Sequence, residues 1–507
     1  MNTARTSPIL DSEGDNFVVT ATPSGNRYES LPLWMSQQAR HWEAGETNRL
    51  NESHWAYATQ SNRPLNDWLA EQLDEIRTRV TYEIRQNGDL AGMMGTMADD
   101  VVGPDGPVFE VQSDSAAYND AAEAMWREWF KNPTFRPNVS GALLLRMWTQ
   151  NLPKCGEFVG QIATDQSADG PVKMRVRPKH PRDLQSPVDR GSEPRIVMGV
   201  EFETIDLDRP LRYWMAKPSN QGYSQEIEPW PADLVIHEFV PEEELQARGF
   251  PWMTPSCQPS ADLRDYDDQV QDAARLMADQ ACLLFNRDPA QQAMTPESTT
   301  FERRTIKMAP PGWEPKLLNA AQPPVQYPEY RAERERQIAR PIRMPLLIAQ
   351  ADASNHNYSS ARFDSQGWGR FVQFVQHFLS GSERSYGILN RLVDIVLAEA
   401  RFTVPELRNP PKDVAYQWTW AARPHVDQLK EAAASEKNLT TRKSSLTEEL
   451  AAEGKSIDSH IRVLSREVQK FEKAGLPLPS YMTGSGESDE VDPNDDEPVK
   501  KKAKANV

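Results

Sequence analysis

The chain has 507 residues, 57 Lys and Arg against 74 Asp and Glu, and a net charge of −17. That balance excludes a protein whose whole surface grips nucleic acid, because sequence-independent DNA affinity comes mainly from Lys and Arg neutralising phosphates, although a local basic patch remains open. Roughly two to four domains fit the length, and 38% hydrophobic residues with 40 prolines argue against one tight globule.

In chain order, residues 1–30 are rich in Ser, Thr, Asn, Asp and Gly without periodicity and are predicted to be a flexible arm. From Asn66 to Val102 the apolar spacing of Trp68, Leu69, Leu73, Ile76 and Val80 predicts helix, which Gly103-Pro104-Asp105-Gly106 ends. A second helix is expected over Ala121 to Phe130. Residues 156–240 change to short apolar runs broken by Pro, Asp and Gly, a β-rich block.

Helix is expected again from Pro259 to Asn286. Val270, Ala273, Met277, Ala281 and Leu284 mark one face, and Asp265, Asp268, Asp272 and Asp279 recur on the other. An acidic face on a surface helix is ordinarily just solvated; the sharper reading is a helix lining something that must not bind anions. Residues 287–328 hold eight prolines and read as an irregular module or hairpins. A charged helix, Tyr330 to Arg340, stops at Pro341, and Asp352 to Asn357 read as a loop.

From Ser359 to Phe378 helix resumes, with Phe371, Phe374, Val375 and Phe378 on one side and Arg362, Gln366, Arg370, Gln373 and His377 on the other; Gly367 and Gly369 predict a bend. The C-terminal part is helical, with a capping box at Ser445 and Glu448 and an apolar stripe through Ile457, Ile461, Leu464, Val468 and Phe471. After Gly484 an acidic run and then Lys500, Lys501, Lys502 and Lys504 read as a disordered tail.

Chemistry leaves few marks. Cys155, Cys257 and Cys282 have no CxxC spacing, so neither a disulfide framework nor a cysteine-rich zinc site is readable, and a reducing compartment is expected. The start lacks a leader pattern and no stretch approaches the ~18 apolar residues of a spanning helix, so a soluble, cytoplasmic protein is expected. There is no GxxxxGK[ST], HExxH or GxSxG, so an enzyme is not supported and no metal or cofactor is expected. His237, beside Glu238 in a probable strand, reads as structural; His356, in a loop between asparagines, is the better ligand candidate. Residues 287–345 reverse the global sign, with ten Lys and Arg including Arg303, Arg304, Lys307 and Lys316 against seven acids.

Several segments together resemble the lambda-like portal proteins of tailed bacteriophages. They are Asp100-Val101-Val102-Gly103, the Gly156-Glu157 turn, Gly199-Val200-Glu201-Phe202, Arg209-Pro210, Tyr213-Trp214, Pro231 to His237, Gln246 to Trp252 and Leu263-Arg264-Asp265-Tyr266. Asn357, Tyr358, Ser359, Ser360, Ala361 and Arg362 match the family's Asn-Tyr-Ser-Ser-x-Arg signature. Each is weak alone, but their order spans roughly Asn66 to Leu476.

The resemblance implies an α+β portal fold with long stem helices, a β-rich wing and a helical C-terminal region. It also implies a ring of twelve copies at one capsid vertex, through which double-stranded DNA is packaged and ejected. Residues 31–258 would be wing, 259–286 and 329–343 the stem helices, and 287–328 the clip. Residues 344–358 would be the channel loop, 359–425 a kinked helix and remaining wing, 426–483 the crown and 484–507 the disordered tail. Implied partners are the major capsid protein, the terminase large subunit, head-completion or adaptor proteins, tail proteins and the DNA, in a virion assembled in host cytoplasm and without a membrane.

Within that frame Asp265, Asp268, Asp272 and Asp279 would repel the duplex from the channel wall, and Asn355, His356 and Asn357 would touch it and let go. Arg362 would either do likewise or pair within the ring. Arg303, Arg304, Lys307, Trp313 and Lys316 would dock partners. A catalytic packaging or maturation protein, nuclease or protease, lacks its motifs, and a head-to-tail adaptor ring is usually much shorter.

Overall fold

The structure, a computed structural model, describes residues 63–190, 193–219, 222–278, 282–286, 313–317, 326–354, 356–382, 385–421, 428–452, 457–474 and 477–478, and the backbone of 8–10 and 16–18. Two units are compact in themselves, Met1–Pro64 and Leu65–Val507. In the first, β1 (Pro8–Leu10) pairs antiparallel with β2 (Asn16–Val18). The rest of residues 1–30, expected as a flexible arm, lies outside the described residues.

The second unit opens with two helices where periodicity predicted one. These are α1 (Leu65–Gln86) and α2 (Gly88–Val102), separated because Asn87 leaves helical geometry and its side chain accepts from the Asp89 and Leu90 amides. Next come β3 (Val108–Gln112), α3 (Ala116–Lys131) and α4 (Gly141–Cys155). Ser115 and Ser140 cap these two helices, and Gly156, at φ +82, ends α4.

The predicted β-rich block forms two antiparallel sheets. One has order β10-β4-β5, from β4 (Glu157–Thr164), β5 (Met174–Lys179) and β10 (Val235–Phe239). The other runs β6 (Ile196–Val197), β7 (Val200–Phe202), β8 (Pro210–Ser219), β9 (Gly222–Pro231) in order. Then follow α5 (Thr254–Ala278), β11 (Cys282–Asn286) paired with β12 (Trp313–Leu317), α6 (Tyr327–Ala339), the short α7 (Leu346–Ala349) and α8 (Tyr358–Ser380). A hairpin, β13 (Gly381–Ser382) with β14 (Ser385–Tyr386), leads to α9 (Ile388–Ala400). β15 (Ala415–Thr419) returns to pair with β3, and α10 (Gln428–Thr440), α11 (Leu446–Ala452) and α12 (Ile457–Ala474) follow. The tail, 484–507, lies outside the described residues.

Three expectations for the middle of the chain need correction. The helix expected to reach Asn286 ends at Ala278, and Cys282-Leu283-Leu284-Phe285 form a strand, because β12 supplies hydrogen-bond partners that periodicity cannot reveal. Leu284 therefore does not continue the helical stripe. The helix begins at Thr254, five residues before Pro259. Farther on, α8 keeps helical hydrogen bonding through Gly367 and Gly369, where a bend is expected, and ends at Gly381, φ +83, later than the expected Phe378.

The main core gathers α2, α3, α4, α8 and α9 around β3 and β4. Trp126, Trp129 and Trp148 lie in it, as expected of aromatics on amphipathic helices, with Trp148 stacked on Phe158 at 4.8 Å. A smaller cluster, including Val159, Val200, Tyr213 and Val235, joins the two sheets. The packed stripe of α8 is Trp368, Phe371, Val372, Val375 and Leu379, whereas Phe374, expected on that side, stands at its exposed margin.

Candidate functional site

A buried ionic knot sets the frame. Glu157, fully buried at the start of β4, accepts from Arg248 Nη2 at 2.6 Å and from the Gly249 amide at 2.6 Å. Arg77 of α1 lies 2.8 Å away, and His237 Nε2 of β10 lies at 3.0 Å. Burial pushes the Glu157 carboxyl up, but Arg248, then Arg77 and His237, outweigh it and hold it well below the usual carboxylate range. The Gly156-Glu157 turn and the Arg248-Gly249 turn are thus two halves of one contact, and His237 has the structural role read from the sequence. Gly249 is required there, since a Cβ would stand 2.3 Å from the Gly156 carbonyl oxygen. Arg391 of α9 donates to the Asp233 and Val235 carbonyls and fastens the Pro231 to His237 segment.

Below this frame α5 and α6 pack as an antiparallel pair. Near one end, buried Ser256 Oγ donates to the Ile338 carbonyl at 2.6 Å; toward the other, Tyr327 OH donates to Asp267 Oδ1 at 2.8 Å and Tyr266 meets Tyr330 edge-on at 5.0 Å. Arg331 stands at the junction, 2.6 Å from Glu335, 2.6 Å from Asp89 of α2 and 3.7 Å from Asp267. The Glu335 hydrogen bond, with Asp89, holds its guanidinium above the ordinary range despite partial burial. Arg264 reaches Glu83 of α1 at 3.1 Å and lies over the Tyr82 ring. Leu263 and Ser260, both buried, mark the packed side of α5.

Asp265, Asp268 and Asp272 are exposed on the opposite side. Asp272 pairs with Arg275 at 3.1 Å, both side chains 73% exposed, an ion pair that solvent screens. Asp279 lies outside the described residues. Asp267, outside the acidic set that the spacing picked out, faces α6 and joins the Arg331 junction; only the pairing of two distant helices reveals those partners.

The loop between α7 and α8 is organised by its own side chains. Asp352 accepts from the Ser354 amide and hydroxyl, each at 2.9 Å, and those bonds lower its carboxyl pKa. His356 is half-buried with Nε2 3.8 Å from Asp364 Oδ2, and its backbone amide donates to Ala353. Asn357 Oδ1 accepts from the Ser360 amide at 2.9 Å as the N-cap of α8, which gives Asn357 and Ser360 a local structural reason. Asn355 lies outside the described residues. Tyr358, Ser359 and Arg362 are exposed on the first turns of α8.

Of the expected docking residues, Trp313 and Lys316 fall on β12, opposite Asn286 and Leu283 in register. Arg303, Arg304 and Lys307 lie outside the described residues. Among the described residues no cluster of His, Cys, Asp and Glu has the arrangement of a metal site, and no helix is long and apolar enough to cross a membrane.

Comparison with known proteins matches residues 51–376 to the family described as phage portal protein, lambda family. A probable portal protein of Halomonas phage phiHAP-1 is 21% identical over 500 residues, covering 90% of this chain and 93% of that protein. Among solved structures, a chain from the neck of an empty GTA particle computed with C6 symmetry is 13% identical with a TM-score of 0.38, covering 74% of this chain and 93% of that one. A chain from the virion of a native gene transfer agent particle is 12% identical with a TM-score of 0.39 at the same coverages.

Proposed function

The chain belongs to the lambda family of phage portal proteins, a structural rather than enzymatic family of particle components, and from that membership we propose that it forms a dodecameric channel for double-stranded DNA at the unique capsid vertex. The observation that carries this reading is the α5–α6 pair. It is fastened inwardly by Ser256, Asp267 and Arg331 and leaves Asp265, Asp268 and Asp272 exposed on the side away from the core.

A conduit for a polyanion must guide without holding, because each phosphate neutralised by the wall adds affinity and therefore friction. Copies of these three aspartates around a ring would surround the duplex with like charge, strengthened where low-dielectric walls focus the field. The aspartates face the lumen in this account, α5 and α6 are the stem, and 344–358 is the channel loop. Because Asn357 is spent on capping α8, the exposed Asp352-Ala353-Ser354 tip approaches the DNA ahead of it.

Residues 287–328, which interrupt the helix pair, form the clip, where Arg303, Arg304, Lys307, Trp313 and Lys316 meet first the terminase and then head-completion and tail proteins. The wing faces the capsid and 426–483 form the crown. Asp265→Asn, Asp268→Asn and Asp272→Asn combined test the lumen assignment in a packaging assay. Assembled particles should package and eject DNA more slowly, with the deficit widening at low salt. Unchanged rates at low salt would exclude these residues from the channel wall.

A further inference from the structure

The remaining face of α8 is unlike the rest of this acidic chain. Arg362, Gln366, Arg370 and Gln373 are exposed along it, and the helix contains a single acid, Asp364, which is half-buried beside His356. A second element adds to the same face: Arg343, which follows the 3-10 turn Arg340–Ile342 after α6 and is held at φ +56, places its guanidinium 6.0 Å from the ring of exposed Phe374 and 5.9 Å from Phe371. Among the described residues none of Arg343, Arg362 and Arg370 has a carboxylate within ion-pair distance. In a chain with 74 acids, three such arginines beside two amides form a local reversal of sign.

We propose that this face is a weak, salt-sensitive phosphate-contact surface for duplex DNA, distinct from the repelling aspartates of α5 and dependent on the portal reading for its access to DNA. Arg362 and Arg370 are eight residues apart, about 12 Å along the helix. A duplex carries one charge per about 1.7 Å, so several phosphates fall within that reach. Arg343, over the Phe371 and Phe374 rings at about 6 Å, is already partly positioned for such a contact. The two amides donate to phosphate or sugar without adding charge. An acidic surface of a second copy is the competing occupant; the exposed amides favour DNA, and the exposed rings Phe363 and Phe374 stand eleven residues apart on α8 and do not form one apolar centre.

The test uses full-length wild-type protein and the triple variant Arg343→Gln, Arg362→Gln, Arg370→Gln. Each is titrated with short blunt duplex DNA while salt is varied, with rings counted by microscopy and melting followed in parallel. With three phosphate contacts engaged, wild-type affinity should fall about 40-fold between roughly 50 and 200 mM salt, and most of that dependence should vanish in the variant. Equal affinity and slope in both proteins would overturn the proposal. So would a variant that binds DNA normally but no longer forms rings, which would make the face a contact between copies. Should the triple variant fail to fold, Arg362→Gln alone, on an exposed helix surface, should reduce the slope by about 0.9; an unchanged slope would overturn the proposal. Wild-type rings with DNA binding that ignores these arginines sink this inference alone, whereas absence of rings sinks the portal reading.

Discussion

Glu157 and Arg248 meet through three hydrogen bonds, 2.6 Å from Nη2 to Oε1 and 2.9 and 3.2 Å from Nε to Oε1 and Oε2, with both side chains at most 2% exposed. The pair closes a span of 91 residues and ties the first β-sheet to the turn that introduces α5. Removing Arg248 leaves the buried Glu157 carboxylate with only Arg77, His237 and the Gly249 amide, so Arg248→Leu should destabilise the fold by up to about 5 kcal/mol, read by chemical denaturation. A loss under about 1 kcal/mol would mean that the knot is peripheral. The Glu157 carboxyl is held below its ordinary value, so its contribution is fully present above about pH 4.5 and is lost as pH falls through the folded-state value. Glu157→Gln should therefore lower stability at neutral pH and remove part of the acid sensitivity.

Glu238, next to His237 but facing the other way, titrates with the opposite sign. Burial pushes its carboxyl up to about 7, with Arg391 only partly offsetting. Between pH 4.5 and 7 the folded chain holds a proton that the unfolded chain has released, so this residue's contribution falls as pH rises through that window. Glu238→Gln should flatten the decline and raise stability at pH 8 by at most about 3 kcal/mol. Parallel melting curves for variant and wild type from pH 5 to 8 would show that the carboxyl is solvated.

Gly249→Ala probes the same region sterically. The added Cβ would meet backbone at 2.3 Å, and backbone cannot swing aside as a side-chain tip can. The expected loss is about 1 to 3 kcal/mol by denaturation. Gly170→Ala, with open space around it but φ +91, should show only backbone strain and cost less. Reversal of that order would contradict the packing described.

Asn357 is assigned a capping role, so Asn357→Ala should cost about 1 kcal/mol, while Asn357→Asp should retain most of the stability because its side chain accepts the same amide hydrogen. Thermal melting of the two variants separates them. Equal destabilisation would show that the amide nitrogen, and not the capping oxygen, carries the role.

Local rules made helix α3 and the β-rich block legible in the sequence, and the Ser445–Glu448 capping box appears with both of its hydrogen bonds. The family resemblance was legible too, because its motifs are ordered over most of the chain. What escaped is non-local. Strand β15 pairs with β3 roughly three hundred residues earlier, which no window can show, and α5 stops where β12 offers a ladder. The Gly156-Glu157 and Arg248-Gly249 motifs gave no hint that they touch, and nothing local tied Asp267 to Tyr327 and Arg331 of α6. Trp313, Lys316 and the aspartates could be chosen by type and spacing, but residue type does not say which way a side chain faces in an assembly.

The central claim is a ring with a passage for DNA, and negative-stain electron microscopy of the purified full-length chain tests it most directly. Twelvefold rings with a stain-filled central hole are expected. Monomers, closed particles without a hole or rings of another symmetry would contradict it.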